Sequence, residues 1–129
     1  MFVYTQFVKR GFHRFPEAAT DPRYVTGDNF DVSHLGTRHM HYFYFKVWVE
    51  VRHENRDIEF IQLREWLENL YDQGDLEVDF KSCEMLSDDL YEKLAERYPG
   101  VEIRIDISEE NINGSYTEYK PTGSTAVMD

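Results

Sequence analysis

The sequence predicts one α+β domain in which a four-stranded antiparallel sheet carries two helices on one face. Long stretches near both ends of the chain alternate apolar and polar residues, which is the period of a β-strand. Two central stretches instead repeat apolar residues at helical spacing. The predicted order is strand, strand, helix, helix, strand, strand. At 129 residues the chain fits a single domain, which we place at residues 1–120, followed by a flexible tail at residues 121–129.

The first two strands are predicted at residues 2–15 and 39–53. The first reads FVYTQFVKRGFHRF, with aromatic and β-branched residues at intervals near two and a bulge expected at Gly11. The second reads HMHYFYFKVWVEVRH and alternates throughout, so that His39, His41 and the apolar residues two apart after them share one face. The stretch between these strands has the Pro, Gly, Asp and Asn content of a loop, and it is long enough to cover a site.

The two helices are predicted from about residue 61 to residue 71 and at residues 82–98. Asp72, Gln73, Gly74 and Asp75 end the first helix, and Pro99 with Gly100 ends the second. Between them lies a short apolar stretch at residues 76–80, to which we assign no strand. The last two strands are expected at residues 101–107, which alternate strictly, and at residues 116–120, after an Asn-Gly turn.

Charge and cysteine content exclude several kinds of protein. The net charge of -11 repels phosphate backbones and anionic lipid surfaces, so we expect neither nucleic acid nor membrane as a partner. No segment approaches the roughly 20 apolar residues of a membrane span or has the form of a signal peptide. The single cysteine fits a reducing compartment, and we expect a cytoplasmic protein. A local cluster of cations and histidines can still hold a small anion.

Three histidines form a candidate metal site. His39 and His41 are two residues apart on one strand, so their imidazoles lie roughly 6 to 7 Å apart on the same face, a separation that one zinc ion can bridge. An antiparallel pairing of the first two strands would add His13 as a third ligand. Three imidazoles with an open fourth position are typical of catalytic or ligand-binding zinc. The alternative is that these are polar residues at strand ends of an α+β domain with no metal.

The motifs around these histidines resemble the 6-pyruvoyltetrahydropterin synthase and 6-carboxytetrahydropterin synthase family, which belongs to the tunnelling-fold group. The resemblance spans about residues 2–119, and five segments agree in order and spacing. GFHRFPEA is similar to the segment with the first metal histidine, HMHYFYFKVWVEV to the H-x-H strand, and DIEFIQLREWLENLY to the first helix. KSCEMLSDDLYEKLAERYPG is similar to the second helix, with Ser82 and Glu84 at its threonine and glutamate. IRIDISEE offers Glu109 as the glutamate that anchors the pterin.

This resemblance implies zinc bound by His13, His39 and His41, and a pterin or purine-like ligand bound by Ser82, Glu84 and Glu109. A carboxylate suits the anchoring role because the 2-amino and N3–H groups of a pterin present two donors side by side. The alternative for Glu109 is a solvated charge at a strand end. The resemblance also implies a homo-oligomer, with a hexamer as one form, and a site between subunits.

The chain departs from the family at the catalytic base. The family's synthases have a cysteine shortly before the H-x-H motif and an Asp-His pair after the first helix, and neither is found here. We therefore consider His34, from the covering loop, as a base, and Cys83 as a nucleophile whose pKa the helix N-terminus lowers. The alternative for Cys83 is a small packed residue.

Two functions remain open. The first is a zinc-dependent lyase acting on dihydroneopterin triphosphate in tetrahydropterin or queuosine-precursor synthesis. The second is a non-catalytic tunnelling-fold protein that binds a pterin, purine or nucleotide. The intact histidine triad favours the lyase, whereas the missing cysteine and Asp-His pair favour the binding protein.

Overall fold

The computed structural model describes residues 1–71 and 73–121. Two long strands come first, β1 and β2, followed by α1, β3, α2, β4 and β5. Their bounds are Phe2–His13, His39–Glu50, Phe60–Asn69, Leu76–Asp79, Cys83–Arg97, Ile103–Glu109 and Asn113–Tyr119. The β1–β2 connection contains two 3₁₀ helices, Pro16–Ala19 and Ser33–Gly36. Asp72, predicted to help end the first helix, and residues 122–129 of the predicted tail lie outside the described residues.

The predicted four-stranded antiparallel sheet is wrong, because the sheet has five strands and is mixed. The strand order is β3-β1-β2-β4-β5. The pairs β1–β2, β2–β4 and β4–β5 are antiparallel, whereas β3 lies parallel to β1. The missed strand is the short apolar stretch LEVD, in which Leu76 and Val78 are buried and their neighbours are exposed. Four residues are too few to display a strand period that distinguishes them from a loop.

Ion pairs fix the position of β3 against the long strands. Three arginines, one in β1, one directly after β1 and one directly before β2, each contact an acidic residue in β3 or directly before it. These pairs are Arg10–Asp75 at 2.7 Å, Arg14–Asp79 at 3.4 Å and Arg38–Glu77 at 2.6 Å. All are largely exposed, and such pairs contribute only about 0–1 kcal/mol each. They therefore favour this register, and burial of the apolar side chains supplies most of the stability.

Both helices begin at side-chain caps. The carboxylate of Glu59 accepts hydrogen bonds from the backbone N–H groups of Ile61 and Gln62 at the start of α1. The hydroxyl of Ser82 accepts from the N–H of Met85 at the start of α2, at 3.2 Å. Such caps satisfy amide groups that have no partner within the helix. No helix in the described part of the chain is long and apolar enough to cross a membrane.

The core lies between the helices and one face of the sheet. Alternate residues of the long strands point into it, together with one side of each helix. Its fully buried members include Phe43, Phe45, Val47, Val49, Leu63, Leu67, Leu90, Leu94, Ile103, Ile105 and Ile107. The opposite face of the sheet carries partly exposed aromatic residues, among them Tyr4, Tyr42 and Tyr116. The histidines of β2 lie on the core side, at the end of this buried row.

The bulge expected at Gly11 is absent from the β1–β2 pairing. The register runs without a shift from Phe2↔Glu50 to His13↔His39, and Gly11 lies opposite His41. The glycine is explained instead by close packing, since a Cβ at this position would lie 3.0 Å from the ring of Phe43. This unbroken register aligns the histidine of β1 with those of β2.

Candidate metal centre

Strand pairing brings the three histidines together. His13 ends β1 and pairs with His39, which begins β2, while His41 follows on the same face two residues later. The three imidazole rings contact one another edge to face, with centroid separations of 4.5 to 4.9 Å. One nitrogen from each ring lies within 4.8 Å of the other two. The sequence-predicted ligand set is therefore assembled by β1 and β2 alone.

Hydrogen bonds fix which nitrogen faces the centre in two of these rings. His39 Nδ1 lies 2.6 Å from the carbonyl oxygen of Thr37, and His41 Nδ1 lies 2.8 Å from a carboxylate oxygen of Glu110. Because both oxygens can only accept, each Nδ1 carries the hydrogen. In the neutral rings, Nε2 then carries a lone pair and no hydrogen, which is the form that binds a metal.

Glu110 contacts the histidine cluster, a position that sequence reasoning did not predict. Strand alternation places it on the opposite side from Glu109, away from the histidines. In the structure its backbone is left-handed, with φ of 58°, and its N–H donates to the carbonyl of Tyr42 at 2.8 Å. This conformation turns the carboxylate back towards β2, where it also accepts from the Tyr42 N–H at 3.2 Å. The two consecutive glutamates in the sequence were the only indication that a second carboxylate could contact the histidines. The turn geometry shows which glutamate faces which side of His41.

The third histidine is held in its neutral form. The pKa of His13 is lowered, first by burial of its side chain, which is 11% exposed, and also by His39 and His41. The carboxylate of Glu109 and the backbone of Lys81 partly oppose this effect. A neutral imidazole is required of a metal ligand, because protonation occupies the donor lone pair.

Glu109 also faces this cluster. One of its carboxylate oxygens lies 3.2 Å from His13 Nε2, and the other lies 3.5 Å from His41 Nε2. His41 Nε2 is buried and has no hydrogen-bond partner in the described structure. Three converging imidazoles and an unsatisfied buried nitrogen fit a transition-metal ion such as zinc, for which histidine is a preferred ligand.

The cluster lies at the wall of a cavity of about 450 Å³. This volume is within the usual range for small-molecule sites. His13, His39 and Glu109 form one side, and Ser82, Cys83 and Glu84 at the start of α2 form another. The remaining lining includes two cationic residues, Arg14 and Lys81, and three aromatic ones, Phe15, Tyr24 and Phe80. The residues predicted to bind the ligand, Ser82, Glu84 and Glu109, thus share one cavity with two of the histidines.

Cys83 does not have the reactivity expected for a nucleophile. Its pKa is raised to about 12, first by burial and then by the nearby carboxylates, of which Glu109 has the largest effect. The position next to the N-terminus of α2 does not offset these effects, contrary to the expectation of a lowered pKa. The thiol is therefore protonated near neutral pH, as befits a small packed residue.

His34 does not line the cavity. It belongs to the second 3₁₀ helix, its side chain is exposed, and it is not one of the described residues that line the cavity. Its neighbour Leu35 lines the cavity instead. The covering loop predicted from the sequence does approach the site, but with a different residue.

No protein-family model matches the chain, and no curated protein matches it in sequence. The resemblance to the pterin synthases therefore rests on the motifs and their spacing. The ligand and the reaction that this resemblance implies are therefore proposals.

Proposed function

We propose that this protein is a zinc-dependent lyase that acts on a reduced pterin triphosphate, the substrate class that its motifs imply. The observation that carries the proposal is the convergence of His13, His39 and His41 beside a cavity of small-molecule size. Two of these rings have their outward nitrogens bonded to fixed acceptors, which is the usual support of a metal-binding imidazole. Dihydroneopterin triphosphate, in tetrahydropterin or queuosine-precursor synthesis, is the specific substrate we propose.

The cavity lining suits this kind of ligand. Aromatic side chains from Phe15, Tyr24 and Phe80 offer surfaces for a flat heterocycle. Arg14 and Lys81 supply positive charge for a phosphate group in a chain whose net charge is -11. Glu84 places a carboxylate on the same wall, where it can accept from two adjacent N–H donors of a pterin or guanine edge.

One group of residues would bind the metal, and a second group would bind the pterin. His13, His39 and His41 would hold zinc, which would supply Lewis-acid polarisation of oxygens on the substrate side chain. His39 and His41 are kept in one tautomer by Thr37 and Glu110, and burial keeps His13 neutral. Ser82 and Glu84 face the cavity from the start of α2, where they orient the heterocycle.

A second function, ligand binding without turnover, is favoured by the state of the candidate bases. The Cys83 thiol is protonated near neutral pH, and His34 is exposed and is not among the described residues that line the cavity. A protein with this pocket and no competent base would hold a pterin, purine or nucleotide unchanged. The lyase and the binding protein would have the same metal site and the same cavity. Only a measurement of turnover therefore distinguishes these two functions.

We also propose a homo-oligomer, with a hexamer as one form. Within residues 1–71 and 73–121 no strand lies beside the outer edges of β3 and β5, and the sheet face opposite the helices carries exposed aromatic side chains. Open edges and apolar sheet faces are commonly covered by association. Light scattering after size-exclusion chromatography tests this, and a monomer at micromolar concentration would contradict it.

The test of function is incubation of zinc-loaded protein with dihydroneopterin triphosphate. Loss of the triphosphate-bearing substrate and formation of a new pterin, both abolished by a chelator and by His39→Ala, support the lyase. Saturable binding without any product supports the binding protein. If the protein neither binds nor converts this compound, both functions are contradicted.

A further inference from the structure

We infer that Glu109 is the fourth protein ligand of the cation that His13, His39 and His41 hold, an inference that rests on the proposed metal site. The motif resemblance gives this glutamate a different role, as an anchor for the heterocycle. In the structure its two carboxylate oxygens lie 3.2 Å from His13 Nε2 and 3.5 Å from His41 Nε2. The carboxylate is thus directed at the imidazole nitrogens.

These separations match the spacing of ligands around a single ion. Zinc binds nitrogen and oxygen at about 2.0–2.2 Å, so two ligand atoms of a tetrahedral shell lie about 3.3–3.5 Å apart. The Glu109 oxygens are at this distance from two of the three histidines. The third, His39, contacts both other rings at centroid separations of 4.5 and 4.9 Å. The set of residues whose ligand atoms all lie within 4.8 Å of one another contains the three histidines without Glu109, so the carboxylate would move towards His39 to complete one shell.

The contact between Glu109 and His41 is unfavourable without a positive charge between them. His41 donates from Nδ1 to Glu110, which leaves a lone pair on Nε2. Glu109 Oε1 faces that lone pair at 3.5 Å, so two acceptors oppose each other, and Nε2 is buried without a hydrogen-bond partner. A cation between them would satisfy both atoms.

A single cation fits the geometry of the whole cluster. One nitrogen from each of the three rings lies within 4.8 Å of the other two, and the Glu109 carboxylate lies beside the Nε2 atoms of His13 and His41. Glu109 reaches this position because it ends β4 directly opposite Phe43 of β2. Phe43 follows His41 by two residues on the strand, so the side chains of His41, Phe43 and Glu109 share one face of the sheet.

The assignment changes how a ligand reaches the metal. With four protein ligands the shell would be closed in the resting state, as in structural zinc sites, whereas catalytic zinc usually keeps its fourth position for water or substrate. An incoming ligand either displaces the carboxylate or adds a fifth ligand. Glu84 lines the cavity and forms no ion pair with a histidine among the described residues, so it remains to receive the donor edge of a heterocycle.

Metal affinity and cobalt spectroscopy test this without any substrate. We would titrate zinc into wild type, Glu109→Gln and Glu84→Gln against a chromophoric chelator, and record the visible spectrum of each protein loaded with Co²⁺. The Glu109→Gln variant should bind zinc at least about 100-fold more weakly, since even removal of an outer carboxylate costs 10–100-fold. Its cobalt d–d bands should also shift and change in intensity. Glu84→Gln should match wild type in both measurements.

The outcomes separate this inference from the metal site itself. Wild-type affinity and an unchanged cobalt spectrum in Glu109→Gln would overturn the ligand assignment and leave a three-histidine site. A wild type that binds neither metal would overturn both. Should Glu109→Gln lose its circular dichroism signal, the crystal structure of the zinc-loaded wild type decides. A Glu109 oxygen about 2.0–2.2 Å from the ion supports the assignment, and a carboxylate turned away from it overturns the assignment.

Discussion

His41 is held between two consecutive glutamates, with Glu110 bonded to its Nδ1 at 2.8 Å and Glu109 facing its Nε2 at 3.5 Å. The two carboxylates reach opposite sides of one ring because β4 ends between them. Glu109 is the last strand residue, and Glu110 begins a turn with a positive φ of 58°. A single imidazole is thereby oriented by one carboxylate and presented to the other.

Replacing Glu110 should weaken metal binding without removing a ligand. In Glu110→Ala the ring of His41 loses its tautomer and its orientation, so we expect zinc affinity to fall about 10–100-fold, as for other outer-shell carboxylates. Glu110→Gln keeps an acceptor oxygen, so its zinc affinity should fall less than that of Glu110→Ala. Competition titration with a chelator measures both, and Glu92→Gln, on the exposed side of α2, is the control. Equal affinities in Glu110→Ala and wild type would show that the hydrogen bond does not orient the ring.

Cys83 should react slowly with thiol reagents in the folded protein. Burial and neighbouring carboxylates raise its pKa to about 12, so almost no thiolate is present near neutral pH. A disulfide reagent that releases a coloured thiol should modify the native chain far more slowly than the chain unfolded in guanidinium. Rapid modification of the native protein at pH 7 would restore Cys83 as a candidate nucleophile.

The short strand β3 should owe its stability to apolar burial more than to ion pairs. Leu76 is 8% exposed and belongs to the core, so Leu76→Ala should lower the free energy of unfolding by about 2–3 kcal/mol. Asp75→Asn removes the exposed pair with Arg10 and should cost less than about 1 kcal/mol. Urea denaturation measures both variants. A larger decrease in the free energy of unfolding for Asp75→Asn than for Leu76→Ala would contradict this prediction.

Asp31 should make stability depend on pH in the acid range. Hydrogen bonds from Ser33 and then from Gly27 lower its pKa from 3.8 to about 2. Because the folded-state pKa is below the unfolded one, the stabilisation is complete above pH of about 4 and is lost as the pH falls towards 2. Asp31→Asn, which imitates the protonated form, should therefore melt below wild type at pH 6, and the gap should narrow towards pH 2.5.

Melting temperatures at several pH values test this, with Glu65→Gln on the exposed side of α1 as the control. A gap between Asp31→Asn and wild type that is constant with pH would contradict the assignment. The result bears on the site because Asp31 bonds the loop that brings Leu35 to the cavity.

The sequence predicted the long elements well because their periods are unambiguous. The alternation from His39 onward located β2 and its core face, and the cluster of His13, His39 and His41 followed from strand geometry. The parallel strand β3 was missed because four residues carry too little period and its partner strand is distant in sequence. The roles of Glu110 and Cys83 depend on a left-handed turn residue and on burial, neither of which a local pattern reveals.

The zinc content of the purified protein tests the central claim most directly. We predict about one zinc per chain by elemental analysis, and a large loss in a His39→Ala variant that keeps the wild-type circular dichroism spectrum. His53→Ala, which alters an exposed histidine outside the cluster, should retain the metal. Absence of zinc and of other transition metals from the wild type, even after incubation with each ion, would contradict the metal site and the lyase proposed from it.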